Sequence, residues 1–373
     1  MTPGSISEFA QARRLVIKVG SALLVERGEA REAWLASLAG DIAALRKGGS
    51  QIVIVSSGAI ALGASRLSLG RGGRGSLADA QAAASVGQIA LASLWSQALG
   101  AHGLVAAQML LTLDDLEDRR RYLNASATFE RLLEAGAVPV VNENDSVATS
   151  EIRFGDNDRL AARVAQASGA DAILLLSDVD GLYDRDPSAE GAKLVPRVDG
   201  VSEAVLAMAS GVSSSGVGSG GMTSKLQAAQ IAERAGIALA IVNGTHGAPI
   251  SRALANGTGT IFAPKRSSTA RQAWLGGRLS PKGVLTVDDG CAKALEDGAS
   301  LLAAGIIEVW GEFARGDLVT VVNSKGDRLA QGLCEYSALD CHAIMGVRQE
   351  AQEAKLGYAP RAAVIHRDHL VRL

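Results

Sequence analysis

Residues Arg14–Leu24 read RLVIKVGSALL, a run that is apolar on consecutive positions, interrupted by one lysine and by Gly20 and Ser21. A strand wetted on one face alternates apolar with polar residues, whereas a strand covered on both faces is apolar throughout. The stretch therefore predicts a strand buried on both faces. Five later runs have the same character: QIVIVSS from Gln51, LVAAQML from Leu104, AVPVVN from Ala137, AILLLS from Ala172 and ALAIVN from Ala238. Amphipathic stretches separate them. EAWLASLAGDIAALRKGG predicts a helix from Glu32 that stops at Gly48 and Gly49, and NASATFERLLEAG one capped by Asn124 and ending at Gly136. Strand and helix in rotation predict an α/β fold: an open, mostly parallel sheet sandwiched by helices, in a domain spanning residues 1–266.

Ligands of such sheets bind where the strands end at their carboxyl termini. Four of these ends are polar or glycine-rich: Lys18–Ser21, Ser56–Ala59, Ser177–Asp180 and the long NENDSVATSEIRFGDND of Asn142–Asp158. Lys18 stands inside an apolar run, where an unpaired ammonium is costly, so it is either salt-bridged or turned into the ligand crevice. Asn, Asp and Gly are ordinary turn formers. Yet Asp145, Asp156 and Asp158 cluster with Asn142, Asn144 and Asn157 at a strand-to-helix passage, a set suited to a substrate ammonium, an indirectly held metal or the anchoring of lysines. Ser215–Lys225, SGVGSGGMTSK, contains G-x-G-x-x-G, but it follows a helix rather than a strand and lacks G-K-[ST]. It reads as a slack linker, as a phosphate cradle of backbone N–H groups, helix N-terminus and Lys225, or as both.

Beyond residue 280 the rhythm changes. Residues 267–280 read as a linker, and 281–373 as a small, mainly-β, barrel-like domain with strands in VLTVDDG, IIEVWGEF, DLVTVVNSKGDRLAQGLCEY and AAVIHRDHL. His366 and His369 read as surface residues rather than a metal pair. The whole chain carries a net charge of −2, which offers no long-range attraction to nucleic acid or anionic membrane. Residues 281–373 hold ten Lys and Arg against thirteen Asp and Glu, so RNA binding is doubtful. Three cysteines without C-x-x-C spacing argue against a disulfide framework and a zinc site. No apolar run approaches a bilayer span, and the first residues lack a signal-peptide core, so a cytoplasmic protein is expected.

Taken in order, KVGSALL, IVIVSSGAIALG, QMLLT, PVVNENDSVAT, FGDNDRLAA, LLLSDVDGLYDRDP and GSGGMTSKLQAAQIA resemble the glutamate 5-kinase branch of the amino-acid kinase family, and the terminal domain resembles a PUA domain. The resemblance implies transfer of the γ-phosphoryl of ATP, with Mg2+, to the side-chain carboxylate of L-glutamate, the first step of proline synthesis. It assigns catalysis to Lys18, Lys225, Asp156 and Asp158, and glutamate binding to Ser57, Asp145 and Asn157. It assigns ATP binding to Lys18, Ser177, Asp178, Ser219, Gly220, Gly221, Met222, Thr223, Ser224 and Lys225; direct metal ligands stay unassigned. It further implies feedback inhibition by proline and a homo-oligomer. A glutamate side chain, with a reference pKa of about 4.3, is already ionised and needs no general base. What the reaction needs is positive charge, because two anions must meet. The rival readings are acetylglutamate kinase, aspartokinase or uridylate kinase, and an RNA-binding regulator using the PUA-like domain.

Overall fold

The computed structural model describes residues 3–147, 156–210, 221–264 and 281–373, with the backbone alone for Asp156 and Ser210. The chain divides into two compact units, one of Met1–Glu117 with Asn124–Arg266, the other of Asp118–Leu123 with Ser267–Leu373. The expected linker 267–280 lies outside the described residues.

In the first unit, apart from a short hairpin of Val25–Glu26 with Glu29–Ala30, the strands are β1 (Arg14–Val19), β2 (Gln51–Ser56), β3 (Ala106–Leu111), β4 (Val138–Glu143), β5 (Ala172–Ser177), β6 (Arg197–Val198), β7 (Ala238–Asn243) and β8 (Thr260–Phe262). They form one eight-stranded sheet in the order β3-β4-β2-β1-β5-β7-β8-β6. Every pairing from β3 across to β7 is parallel, and β8 returns antiparallel to β7. The unit's main helices, beside the short Ser21–Leu24 and Leu113–Glu117, are α1 (Glu32–Lys47), α2 (Ala59–Arg66), α3 (Leu77–Gly100), α4 (Arg119–Glu134, whose first residues to Leu123 belong to the second unit), α5 (Asp156–Ala167), α6 (Glu203–Ser210), α7 (Gly221–Arg234) and α8 (Pro249–Asn256). Consecutive apolar residues do mark the central strands: Leu15, Val16, Ile17 and Val19 of β1 are at most 1% exposed, as are Ala172–Leu176 of β5.

Two local expectations fail for identifiable reasons. LVAAQML does not form a doubly buried strand: β3 is the sheet's edge, and Gln108 and Leu110 are exposed. Asn124 is not a cap. Its helix starts five residues earlier at Arg119, where Asp118 Oδ1 accepts the backbone N–H of Arg121 at 2.9 Å and takes the capping role.

Glycine decides one packing contact near the strand ends. Gly63 of α2 and Gly87 of α3 face each other so closely that a Cβ on Gly63 would strike the Ala83 carbonyl, and one on Gly87 the Ala59 carbonyl. The helices cross backbone to backbone. Gly58, at φ 119°, turns the chain from β2 into α2 in a conformation that residues with a Cβ rarely adopt.

The second unit is built on a five-stranded sheet in the order β10-β9-β11-β12-β13, with β9 (Gly283–Val287), β10 (Ile306–Gly311), β11 (Leu318–Asn323), β12 (Arg328–Leu333) and β13 (Leu370–Arg372). All pairings are antiparallel except β9 with β11. Three short helices unforeseen in the sequence accompany it: α9 (Asp289–Glu296), α10 (Ala338–Ile344) and α11 (Gln349–Leu356). His369, expected at the surface, is 5% exposed. Cys334 and Cys341 are buried free thiols with sulfurs 3.7 Å apart.

Candidate active site

Parallel register brings four loop starts to one edge. Val19 pairs with Ser56 on one side and Leu176 on the other, Ser177 pairs with Asn243, and Val55 with Val141. Lys18, Ser57, Asn142 and Ser177 therefore reach the carboxyl edge together. Ser57 is held there by its backbone N–H, which donates to the Val19 carbonyl at 3.0 Å.

Helix α5 packs on β1 and against α7, and the first turns of the two helices meet over Lys18. Lys18 Nζ lies 2.5 Å from Asp158 Oδ1, and Lys225 Nζ lies 3.4 Å from Asp158 Oδ2. Ser224 Oγ donates to Asp158 Oδ2 at 2.8 Å, and Lys225 Nζ also donates to the Gly221 carbonyl at 3.1 Å. Exposure is 6% for Lys18, 1% for Asp158 and 8% for Lys225. Two ammoniums thus share one carboxylate in a nearly dry position. Two helix N-termini add to the positive potential of the two ammoniums.

The titration of these groups follows from the geometry. Burial pushes the Lys18 ammonium below its ordinary 10.5, with Lys225 adding to the fall, while Asp158 and Asp178 oppose it. Burial would push the Asp158 carboxyl up, but the Lys18 and Lys225 charges and the Ser224 hydroxyl together outweigh it and hold the group below its ordinary value. Asp158 therefore stays ionised. It is an organiser of lysines and not a proton acceptor.

A second, uncharged network adjoins the first. Asn157 Nδ2 donates to Ser57 Oγ at 2.7 Å and to Asn142 Oδ1 at 3.2 Å, and Asn142 Nδ2 donates to Gln88 Oε1 at 2.8 Å. Asn157 Oδ1 is buried and has no hydrogen-bond partner among the described residues. Trp95 Nε1 donates to Ser56 Oγ at 2.9 Å, fixing the residue before Ser57. Asp145 is 8% exposed and close enough to Arg74 for its charge to oppose the fall that desolvation imposes on that guanidinium.

On the other side, Ser177 is 4% exposed and its Oγ donates to Asp178 Oδ1 at 3.2 Å, while Asp178 itself is exposed. Asn243 Nδ2 donates to Asp180 Oδ1 at 2.9 Å and ties the β7 end to the loop after β5. Gly221 begins α7, and a Cβ there would meet nothing within 4 Å among the described residues. Met222 is half-buried and Thr223 exposed. Ser219, Gly220 and the Asp156 side chain lie outside the described residues.

Among the expected residues, then, Lys18, Asp158, Ser224 and Lys225 form one cluster and Ser57 and Asn157 another. Gln88, Arg74 and Trp95 were not singled out in the sequence. No local signal marks them, because Gln88 meets Asn142 across 54 residues of chain. No group of three or more His, Cys, Asp or Glu among the described residues could hold a metal ion.

The family model of the amino acid kinase family matches residues 13–243, and that of the PUA domain residues 283–355. The chain is 60% identical over 369 residues to the glutamate 5-kinase of Novosphingobium aromaticivorans, covering 99% of this chain and 98% of that one. It is 57% identical over 365 residues to the glutamate 5-kinase of Sphingopyxis alaskensis, 98% of each chain, and 53% identical over 372 residues to that of Zymomonas mobilis, 99% of this chain and 94% of that one.

Proposed function

The chain belongs to the amino acid kinase family, and from that premise we propose that it transfers the γ-phosphoryl group of ATP to the side-chain carboxylate of L-glutamate, giving L-glutamyl 5-phosphate for proline synthesis. The observation that carries the chemistry is the buried pair Lys18 and Lys225 on the single carboxylate of Asp158. A phosphoryl group passing between two anions spreads negative charge over its oxygens, and preorganised cations in a dry site stabilise it without reorganisation. Lys18 and Lys225 flank the transferring group, and Asp158 keeps both in place. Ser177, Asp178 and the Ser219–Lys225 segment hold the nucleotide. Ser57, Asp145 and Asn157 hold glutamate, with Asp145 facing the α-ammonium.

Mg2+ arrives on the nucleotide in this reading, since Asp158 is already taken by two lysines and a hydroxyl, and Mg2+ is commonly held mainly by substrate phosphates and water. Bound there, it would neutralise part of the phosphate charge. Feedback inhibition by proline, a homo-oligomer and a cytoplasmic location belong to the same reading; no described helix is long and apolar enough to cross a membrane. The deciding experiment is a substrate panel of glutamate, acetylglutamate, aspartate and UMP with MgATP. Acyl-phosphate formed chiefly from glutamate, trapped as the hydroxamate, supports the reading. Preference for another acceptor replaces it.

Asp145→Asn should raise the glutamate KM with a smaller change in kcat, because it weakens a contact made in both ground and transition states. A fall in kcat at unchanged KM would place Asp145 in the chemistry instead. The Lys18 ammonium gives a second expectation. As its proton is lost, positive charge leaves the site, so kcat should fall on an alkaline limb whose midpoint lies below the 10.5 of an ordinary lysine. A kcat profile that is flat up to 10.5 would show that this proton does not matter.

A further inference from the structure

The chain of amides running from α3 to the strand ends has a direction. A side-chain amide has one accepting and one donating end, so each hydrogen bond in a row of amides dictates the orientation of the next. Gln88 presents Oε1 to Asn142 Nδ2, which turns Asn142 Oδ1 towards Asn157. Asn157 must then offer Nδ2, which it shares between Asn142 and Ser57, and its Oδ1 points the other way, buried and without a partner among the described residues. A buried, unused acceptor beside a substrate-binding serine is costly unless something donates to it. Glutamate with both carboxylates ionised carries one donor group, its α-ammonium, whose three N–H bonds can serve Asp145 and a second acceptor.

We infer that Gln88 is a positioning residue for substrate recognition: by accepting from Asn142 it fixes the orientation of Asn157, whose Oδ1 receives the α-ammonium of the amino-acid substrate. The inference rests on the assignment of Ser57 and Asn157 to the glutamate site. Gln88 does not touch substrate, and it acts through two residues. It lies half-buried on the wall of a cavity of about 180 Å³ lined also by Leu91, Trp95, Gln108 and Asn142, so an unbranched side chain of similar length fits in its place.

The test uses the full-length enzyme and four variants: Gln88→Met, Gln88→Glu, Asn157→Ala and the double variant Gln88→Met/Asn157→Ala. Methionine keeps the shape and removes the acceptor, so Gln88→Met should raise the glutamate KM about fivefold to tenfold, the scale of one neutral hydrogen bond. Its kcat and its KM for ATP should stay near those of the unsubstituted enzyme, while its thermal midpoint should fall, because the 3% exposed Asn142 loses the acceptor of its Nδ2–H. Glutamate at the position accepts but cannot donate, so Gln88→Glu should keep the glutamate KM close to the original. Asn157→Ala should raise the same KM, and adding Gln88→Met to it should have no further effect. Equal KM values for Gln88→Met and the unsubstituted enzyme, alongside a raised KM for Asn157→Ala, would overturn the inference while leaving the glutamate site in place. A failure of Gln88→Glu as severe as that of Gln88→Met, or additive effects in the double variant, would overturn it as well. An unchanged KM in Asn157→Ala would instead remove the glutamate-site assignment on which it rests.

Discussion

Lys225→Ala should lower kcat on the order of 10²-fold or more at saturating glutamate and ATP while the protein remains folded, the scale expected for losing one preorganised transition-state donor. Folding survives because Asp158 keeps Lys18 at 2.5 Å and the Ser224 hydroxyl at 2.8 Å. One buried carboxylate then faces one buried ammonium, a balanced pair. The deficit should appear in turnover and not in the glutamate KM, if the ammonium acts on the migrating group as proposed. Lys225→Arg should also be poor: a planar guanidinium is too broad for a position that already contacts both Asp158 and the Gly221 carbonyl. Steady-state kinetics and a thermal melt decide it together. Turnover equal to that of the unsubstituted enzyme would return SGVGSGGMTSK to the status of a linker.

Asp158→Asn should lower stability as well as turnover. It leaves two ammoniums, 6% and 8% exposed, facing each other with no anion between them. Removing one partner of a buried ion pair typically costs about 3–5 kcal/mol. Part of that cost is relieved if a lysine gives up its proton, and Lys18, already depressed by burial and by Lys225, is the one to do so. Activity should therefore fall on the order of 10²-fold or more, and the alkaline limb of kcat should move to lower pH than in the unsubstituted enzyme. A normal melting temperature with only the glutamate KM raised would show that Asp145 and Asp158 have exchanged roles.

Much of this was legible along the chain because it depends on neighbours in sequence. Consecutive apolar residues in Arg14–Val19 and Ala172–Ser177 specify burial on both faces, and that in turn specifies a parallel sheet whose carboxyl edge is the place to look for Lys18, Ser57 and Ser177. The pattern does not rank strands by position. LVAAQML is as apolar as its fellows yet became the edge, because edge or centre is settled by which strand it pairs with. Asn124 has the chemistry of a cap, but Asp118 stands nearer the true start of the helix and satisfies the free N–H first.

The division at the site follows the same physics. Residue types and local order determined that the chain carries cations and amides at the strand ends, because strand termini and helix starts are local events. Tertiary structure alone decided how they combine: that Asp158 belongs to the lysines, that Asp145 feels Arg74, and that Gln88 speaks to Asn157 through Asn142. Ion pairs and hydrogen bonds act over a few ångströms of space, whereas Lys18 and Lys225 are joined only when β1 and α7 pack around α5, and no periodicity in the sequence records that distance.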